Sequence, residues 1–327
     1  MTAELTTRVV AADGNAVADA ALCLAAGGLV AFPTETVYGL GADATDGKAV
    51  ARLYAAKGRP SFNPLIAHVP DIAATRTLGI FNDAAERLAA AFWPGPLTLV
   101  LNRSPDCPVA DLATAGLDSI AIRIPDHPVA RDLLRALGKP VVAPSANRSG
   151  RVSPTTAAHV LSDLRGRIDL ILDGGPTSVG IESTIVACLN RPTLLRPGGL
   201  PRDSIERVLG MPLADAPPGE ADAPLAPGML ASHYAPHARL RLNAGDIRDG
   251  EALLAFGPDQ PRGGAAQHTL NLSASGDLVE AAANLFSHLR ALDFLNATTI
   301  AVMPIPGEGL GEAINDRLGR AAAPKET

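Results

Sequence analysis

The sequence lacks the features that mark secreted, membrane and disulfide-stabilised proteins. Its three cysteines, Cys23, Cys107 and Cys188, are far apart and form neither a CxxC pair nor a disulfide framework, so we expect buried free thiols. No apolar run is long enough to span a bilayer. Residues 1–13 lack the basic, apolar and small-residue regions of a signal peptide. We therefore expect a cytoplasmic protein that makes no membrane contact.

Common signatures of nucleotide, nucleophile and metal sites are also missing. The sequence contains no GxxxxGK[ST] loop and no GxSxG elbow. The glycine-rich string 307–311 (GEGLG) has the wrong spacing for dinucleotide binding. His233 and His237 are four residues apart, but Pro236 argues against a helix that would bring them to one metal. Any nucleotide must be held in another way, and we expect no metal bound by side chains.

Charge is unevenly distributed along the chain. Residues 1–210 contain as many acidic as basic residues, whereas residues 211–327 carry the whole net charge of −6. A neutral first part gives no argument for nucleic-acid binding through bulk charge, although it can hold a local basic pocket. Only four of the 28 basic residues are lysines, which draws attention to Lys57.

The order of predicted elements indicates two domains joined by a linker. Strand and helix patterns alternate loosely through residues 1–210, which predicts an α/β or mixed α+β sheet. Residues 211–238 contain a stretch rich in proline, glycine and alanine, as is typical of a linker. A shorter series of strands and helices in residues 239–327 resembles a small Rossmann-like domain.

A hydroxyl-rich string and a basic string are separated by one predicted helix. Residues 28–32 predict a buried strand, and Pro33-Thr34-Glu35-Thr36 follow at its end, where open α/β sheets bind ligands. A helix capped by Asp46 then leads to Lys57-Gly58-Arg59-Pro60. The basic string also fits an ordinary helix C-terminus. Together the two strings predict a unit that handles phosphate.

Arg123 is difficult to explain as a core residue. It lies in the strand pattern 119–125, where it shares one face with Ser119 and Ala121 while three isoleucines occupy the other face. An arginine buried in such a strand needs an acidic partner or an anionic ligand. A second polar strand exit, Ser145-Ala146-Asn147, follows an apolar run.

Five motifs, in this order, resemble the YrdC-like domain of threonylcarbamoyl-AMP synthases. They are the string 33–40 (PTETVYGL), Lys57-x-Arg59-Pro60, Asn63-Pro64-Leu65, Ser119-x4-Arg123 and Pro144-Ser145-Ala146-Asn147. The string 232–236 (SHYAP) and the C-terminal series resemble the longer, two-domain members of this family. The resemblance implies a twisted open sheet with a cavity on its concave face, then a linker that closes as a lid, then a smaller domain.

The resemblance also implies a reaction. Such an enzyme is a nucleotidyltransferase that forms threonylcarbamoyl-adenylate and pyrophosphate from L-threonine, bicarbonate or carbon dioxide, and ATP with Mg²⁺. A partner complex, the threonylcarbamoyl transferase, passes the product to adenosine beside the anticodon of certain tRNAs. We expect the ATP phosphates to carry the Mg²⁺, and we expect no stable binding of tRNA.

Individual positions receive roles from the same resemblance. The catalytic tetrad would comprise Lys57, Arg59, Ser145 and Asn147. The threonine pocket would be lined by Thr36, His68, Arg123, Ala143 and Ser183. ATP would be held by Arg59, Asn63, Ser119, Ser145, Ser153, Arg196 and Tyr234. Arg123 would pair with the threonine carboxylate through two of its nitrogens, and Tyr234 would bring the linker over the nucleotide.

Three other functions stay open at this point. A nucleic-acid-binding module is disfavoured by the neutral charge of residues 1–210. A regulatory nucleotide-binding protein without turnover is disfavoured by the intact tetrad. Transfer of a carbamoyl group from another donor usually accompanies acyl-phosphatase or zinc-finger segments, which this sequence lacks.

Overall fold

The structure, a computed structural model, describes residues 5–216, 234–259, 261–295 and 297–323. Residues up to 215 form a twelve-stranded mixed sheet, and residues 239–302 supply a four-stranded parallel sheet. This mixed α/β architecture confirms the predicted fold class.

The large sheet is built from short strands. They are β1 (Arg8–Ala11), β2 (Val30–Pro33), β3 (Tyr38–Asp43), β4 (Ile66–His68), β5 (Gly79–Ile80), β6 (Leu97–Arg103), β7 (Ser119–Arg123), β8 (Val141–Val142), β9 (Leu170–Asp173), β10 (Thr184–Ala187), β11 (Thr193–Arg196) and β12 (Ala214–Asp215). Their order is β1-β9-β2-β3-β8-β4-β7-β6-β10-β11-β12, with β5 beside β6. The helices are α1 (Gly14–Ala25), α2 (Gly47–Lys57), α3 (Ile72–Arg76), α4 (Asp83–Phe92), α5 (Pro128–Leu137), α6 (Ala157–Leu164) and α7 (Arg202–Leu209).

The second sheet follows in the C-terminal part of the chain. Its elements are β13 (Arg239–Arg241), β14 (Asp246–Ile247), β15 (Ala252–Ala255), β16 (Arg262–Gly263), β17 (Thr269–Asn271), α8 (Leu278–Phe294), β18 (Thr299–Val302) and α9 (Leu310–Ala322). The strand order is β13-β18-β15-β17, and β14 pairs separately with β16. The apolar periodicity of residues 278–294 predicts a helix, and α8 has these bounds.

Helix α2 begins and ends at the residues that its sequence indicates. The Asp46 carboxylate accepts a hydrogen bond from the Lys48 amide, and Gly58 adopts the left-handed conformation that closes the helix. Lys57 is therefore the last helical residue, and Arg59 follows directly after the turn. This geometry confirms the predicted link between the cap and the basic string.

As predicted, Thr34, Glu35 and Thr36 follow the end of β2. They form the turn of a hairpin that was not predicted, in which β3 pairs antiparallel with β2 and Pro33 stands opposite Tyr38. The two glycines of β3 weaken its strand pattern, which explains why the sequence analysis missed it. The string Ser153-Pro154-Thr155-Thr156 predicts the opening of a helix, but α6 is capped by Thr156, so Ser153 and Pro154 precede the helix.

Two further elements differ from the predicted ones. The apolar run before Ser145-Ala146-Asn147 predicts a strand over residues 141–147, but the continuous strand holds only Val141 and Val142, because Pro144 has no amide hydrogen to donate. Ser145 then makes an isolated antiparallel bridge with Gly39 of β3. Strand β12 pairs with β11 in the large sheet, although it lies in the segment that the sequence assigned to the linker.

The two faces of β7 pack differently, as its alternation predicted. Its two isoleucines, and Ile124 directly after it, belong to the main core, together with residues of α2, α4 and α7. On the opposite face, Ala121 belongs to a small cluster that also contains Ile66, Val100 and Leu195, with Ala216 packed against it. This sparsely covered face leaves room beside Arg123. Within the described part of the chain, no helix is long and apolar enough to cross a bilayer.

Candidate active site

A cavity lies where β4 and β7 end near the β2–β3 hairpin. Thirteen residues line it: Thr36, Val37, Arg59, Ile66, His68, Arg123, Ala143, Pro144, Ser145, Glu182, Ser183, Arg196 and Tyr234. His68 and Arg123 are the last residues of β4 and β7 and stand opposite each other in the sheet register. The cavity therefore forms at the carboxyl ends of two parallel strands, where α/β sheets commonly bind ligands.

Nine of the fourteen predicted site residues line this cavity. They are Thr36, Arg59, His68, Arg123, Ala143, Ser145, Ser183, Arg196 and Tyr234. The other five, which are buried but absent from the wall, are Lys57, Asn63, Ser119, Asn147 and Ser153. Four lining residues were missed by the sequence analysis: Val37, Ile66, Pro144 and Glu182.

Lys57 holds the loop that presents Ser145 to the cavity. Its ammonium group donates to the carbonyl oxygens of Ser145 and Asn147, each at 2.5 Å. Its own carbonyl oxygen accepts from the Ser149 amide at 2.9 Å. Burial, and then the nearby Arg59, lower the pKa of Lys57 well below its usual range. Lys57 thus lies behind the wall and connects two other members of the predicted tetrad, Ser145 and Asn147.

The remaining residues behind the wall have distinct surroundings. The Asn63 carbonyl accepts from Arg59 Nε at 3.4 Å, and the Ser153 hydroxyl donates to Glu182. Asn63 and Asn147 each bury a side-chain oxygen that has no donor among the described residues. Ser119 lies at the opposite end of β7 from Arg123, roughly 13 Å away at the usual strand rise.

Two arginines give one end of the cavity a positive charge. Arg59 donates to the carbonyl oxygens of Asn63 and Pro64, and Arg196 donates to the carbonyl oxygen of Ser183 at 2.8 Å. In the part of the chain that the structure describes, no carboxylate pairs with Arg59. Burial, with a contribution from Arg196, lowers the pKa of Arg59 to about 10, and burial also lowers that of Arg196. Buried cations in this arrangement favour an anionic ligand.

Arg123 lies at the other end and has the acidic partner that its burial required. Its Nη2 is 2.6 Å from Glu35 Oε1, and its Nε donates to the Gly95 carbonyl at 3.3 Å. The second oxygen of Glu35 accepts from the Asp126 amide. For the remaining nitrogen, Nη1, the described residues supply no hydrogen-bond acceptor.

Hydroxyl groups and a neutral imidazole surround Arg123. The Thr36 hydroxyl lies 2.8 Å from that of Thr34, and the Ser183 hydroxyl lies 2.8 Å from that of Thr98. Burial, and then Arg123, lower the pKa of His68 to about 3, so its ring is neutral near pH 7. This end therefore combines one cation with small polar groups, which suits a zwitterionic amino acid.

The structure also accounts for the weaker motifs. A Cβ on Gly311 would lie 1.8 Å from the Pro306 carbonyl oxygen, so close packing explains that glycine. His233 lies outside the described residues, and His237 Nδ1 is 2.8 Å from Asp293. No cluster of three or more metal-ligating side chains occurs within the described ranges.

The neutral state of His68 predicts a loss of stability in acid. Its pKa of about 3 in the folded chain lies below the usual 6.5, so the unfolded chain binds the proton more readily. The contribution of His68 to the free energy of unfolding is therefore fully present above pH 6.5, and it is lost as the pH drops from 6.5 towards 3. Between pH 7.5 and pH 5 this site should remove about 2 kcal/mol. Urea unfolding at pH 7.5 and pH 5 should show that His68→Gln loses less free energy of unfolding between the two pH values than the unmodified chain does. Equal losses in the two chains would contradict the expectation.

Comparisons with known proteins agree with this geometry. Residues 23–198 match the family model for Sua5, YciO and YrdC, described as "Telomere recombination". Residues 200–323 match the model for the C-terminal domain of threonylcarbamoyl-AMP synthase.

Full-length relatives and a solved structure agree as well. The threonylcarbamoyl-AMP synthase of Bacillus subtilis is 42% identical over 94% of this chain and 92% of its own length. That of Pyrococcus abyssi is 43% identical over 90% and 91%, respectively. The crystal structure of P. abyssi Sua5 complexed with L-threonine has a TM-score of 0.87 and 38% identity, covering 97% of each chain. The chain belongs to the threonylcarbamoyl-AMP synthase family.

Proposed function

We propose that this chain forms L-threonylcarbamoyladenylate and pyrophosphate from L-threonine, bicarbonate or carbon dioxide, and ATP. The product serves the threonylcarbamoyladenosine modification of tRNA next to the anticodon. One observation carries the proposal: a single cavity is lined by the neighbouring cations Arg59 and Arg196 and also by Arg123, which Glu35 fixes. A triphosphate and an amino acid have the charges that these cations would bind.

The cationic end is assigned to ATP. Arg59 and Arg196 are forks of donors that match phosphate oxygens, and Ser145 adds a hydroxyl from the loop that Lys57 holds. A bound triphosphate would favour the charged form of Lys57, whose burial otherwise disfavours it. We assign three more residues to the same nucleotide: Asn63, Ser119 and Ser153. None of them lines the cavity, so their contacts would lie outside the present wall. Asn147 supports the loop.

The other end is assigned to threonine. The threonine carboxylate would contact Arg123 through Nη1, because Glu35 already occupies Nη2. Thr36, Ser183, His68 and the backbone at Ala143 surround the remaining polar groups of the amino acid. A contact through one nitrogen replaces the two-nitrogen fork that the sequence analysis proposed.

The reaction proceeds mainly by positioning. The threonine amine attacks the carbon of carbon dioxide, loses a proton and becomes an N-carboxylate. An oxygen of that carboxylate attacks the α-phosphorus, and the bond to the β-phosphate breaks as pyrophosphate leaves. His68 and Glu182, with pKa values of about 3 and about 2, are poorly matched to accept a proton near pH 7. Arg59 and Arg196 stabilise the charge that develops at phosphorus.

Mg²⁺ fits this site as a companion of the nucleotide. Glu182 is the one carboxylate among the described residues of the cavity wall, and it is already bonded to Arg317 and Ser153. A hard cation prefers oxygen ligands, and the phosphates supply them. The metal would neutralise phosphate charge.

Tyr234 is proposed to act as part of a lid. The cavity volume is about 40 Å³, far below the roughly 300–1,000 Å³ of ligand pockets. Tyr234, which is 1% exposed, forms part of the wall, so it has to move before ATP enters. We propose a catalytic domain of residues 1–210, a linker of residues 211–238 and a C-terminal domain of residues 239–327. A separate transferase complex in the cytoplasm would consume the product.

Tyr234→Ala should raise the Michaelis constant for ATP by about 10-fold, because the lid loses an aromatic contact worth ~0.5–1.5 kcal/mol together with its buried area. Tyr234→Phe keeps the ring and should stay within about 2-fold of the unmodified chain. Calorimetric titration with Mg-ATP compares the nucleotide affinity of both variants with that of the unmodified chain. Unchanged nucleotide affinity in Tyr234→Ala would show that the linker is no lid.

The test of the function is direct detection of the product. Purified protein is mixed with ATP, Mg²⁺, L-threonine and bicarbonate, and rapid mass spectrometry follows threonylcarbamoyladenylate and pyrophosphate. We expect equal amounts of both, and neither product when threonine or bicarbonate is omitted. ATP binding without either product would leave a regulatory nucleotide-binding protein.

A further inference from the structure

Helix α9 of the C-terminal part places an arginine behind the cavity wall, in contact with Glu182. Arg317 is fully buried, and its Nε donates to Glu182 Oε2 at 2.8 Å across 135 residues of sequence. Nη1 donates to Asp316, whereas Nη2 is buried and has no acceptor among the described residues. An unsatisfied buried donor is costly, so the burial of Arg317 depends on the two carboxylates that its other nitrogens contact.

Arg317 also holds the proposed lid residue. Its guanidinium carbon lies 5.1 Å from the centre of the Tyr234 ring, and Phe286 of α8 stacks on that ring with centroids 5.6 Å apart. Tyr234 has a φ of +63°, a conformation that residues other than glycine adopt at a cost. The packing of Arg317 and Phe286 therefore keeps Tyr234 in a backbone state that it would otherwise leave.

The C-terminal part is seated closely enough for this contact to be rigid. Val37, Val152, Ile181 and Tyr234 belong to one apolar cluster with residues of α8, α9, β15 and β18. A Cβ on Gly180 would lie 2.4 Å from the Ala283 Cα, so only glycine permits this approach of the backbones. The cavity wall and the core of the C-terminal part are thus continuous.

Glu182 makes this contact chemically important. A carboxylate in the wall of a triphosphate site repels the nucleotide unless a cation neutralises it. Glu182 also accepts the Ser153 hydroxyl, so its position affects a second proposed nucleotide contact.

We propose that Arg317 is a positioning residue for ATP, which neutralises Glu182 and holds Tyr234 over the nucleotide end of the cavity. This inference rests on the proposed function and gives the acidic C-terminal part a role in it. The described contacts of Arg317 are with Glu182, Asp316 and Tyr234 and not with Arg123 or Glu35, so its loss should affect nucleotide more than threonine.

Arg317→Met should raise the Michaelis constant for ATP by about 10- to 100-fold while that for threonine changes by less than about 3-fold. Adding Glu182→Gln to Arg317→Met removes the unpaired carboxylate and should lower the constant for ATP at least about 3-fold below that of Arg317→Met, while the loss of the Tyr234 contact remains. Arg317→Lys keeps a charge, so its Michaelis constant for ATP should lie between those of the unmodified chain and Arg317→Met. This variant preserves the test if Arg317→Met unfolds.

The control is Arg202→Met. Arg202 is 2.8 Å from Glu312, which is also on α9, but neither residue lines the cavity. A purely structural role for the contact between the two parts predicts the same change for both variants. An equal rise in the constants for ATP and threonine, or no recovery with Glu182→Gln, would overturn the proposal. Titration with Mg-ATP measures the same ranking even if the chain forms no product, so failure of the proposed function is distinguished.

Discussion

Arg59→Met should lower kcat/KM for ATP by about 10²- to 10³-fold, which is the typical loss when one preorganised donor to a developing charge is removed. Arg59 lines the cavity, is 9% exposed and has no carboxylate partner among the described residues, so its charge is available to the phosphates. The loss should appear in both kcat and KM because the contact strengthens as pyrophosphate leaves.

Two further variants separate this effect from unfolding. Arg59→Lys keeps the charge but not the planar fork and should retain part of the activity. Arg135→Met removes an arginine that is 54% exposed on α5 and paired with Asp132, so it should not change the kinetics. Stopped-flow release of pyrophosphate measures all three. Activity of Arg59→Met within a few-fold of the unmodified chain would exclude Arg59 from the phosphate site.

Arg123→Met should raise the Michaelis constant for threonine by about 10²-fold and leave that for ATP nearly unchanged, because a charged hydrogen-bond pair with the carboxylate is lost. The same substitution leaves Glu35 buried without its partner, which should lower the free energy of unfolding by roughly 3–5 kcal/mol.

The double variant Arg123→Met/Glu35→Gln removes both charges. It should recover much of the stability without recovering threonine binding, since Glu35 does not line the cavity. Urea unfolding and threonine titration on the same samples give the two readouts. Equal rises in the constants for threonine and ATP would contradict the assignment of Arg123 to the threonine end.

Local chemistry made much of the framework predictable. The Asp46 cap and the glycine after Lys57 indicated where α2 begins and ends, and the alternation in residues 119–123 indicated which face of β7 carries Arg123. These signals act between residues that are close in sequence, so they can be read without the fold. The resemblance then identified nine residues that line the cavity.

Contacts between distant residues were not predictable in the same way. Glu35 and Arg123 are 88 residues apart, and the sequence showed only that Arg123 needed some partner. Lys57 was expected beside the phosphates, yet its ammonium group donates to carbonyl oxygens 88 and 90 residues away. Glu182 had no local signal, because a glutamate before a strand is ordinary.

By itself, the sequence determined the fold class, the helix ends and the residue types that a nucleotide and an amino acid require, since caps, periodicity and motif order are local properties. Only the tertiary structure decided which charges neutralise each other, because pairing depends on distances between strands and helices that meet after folding. The contact of Arg317 with Glu182 is one of the pairings that only the tertiary structure decided. It exists because α9 packs against the wall of the large sheet's cavity and leaves both charged groups buried together.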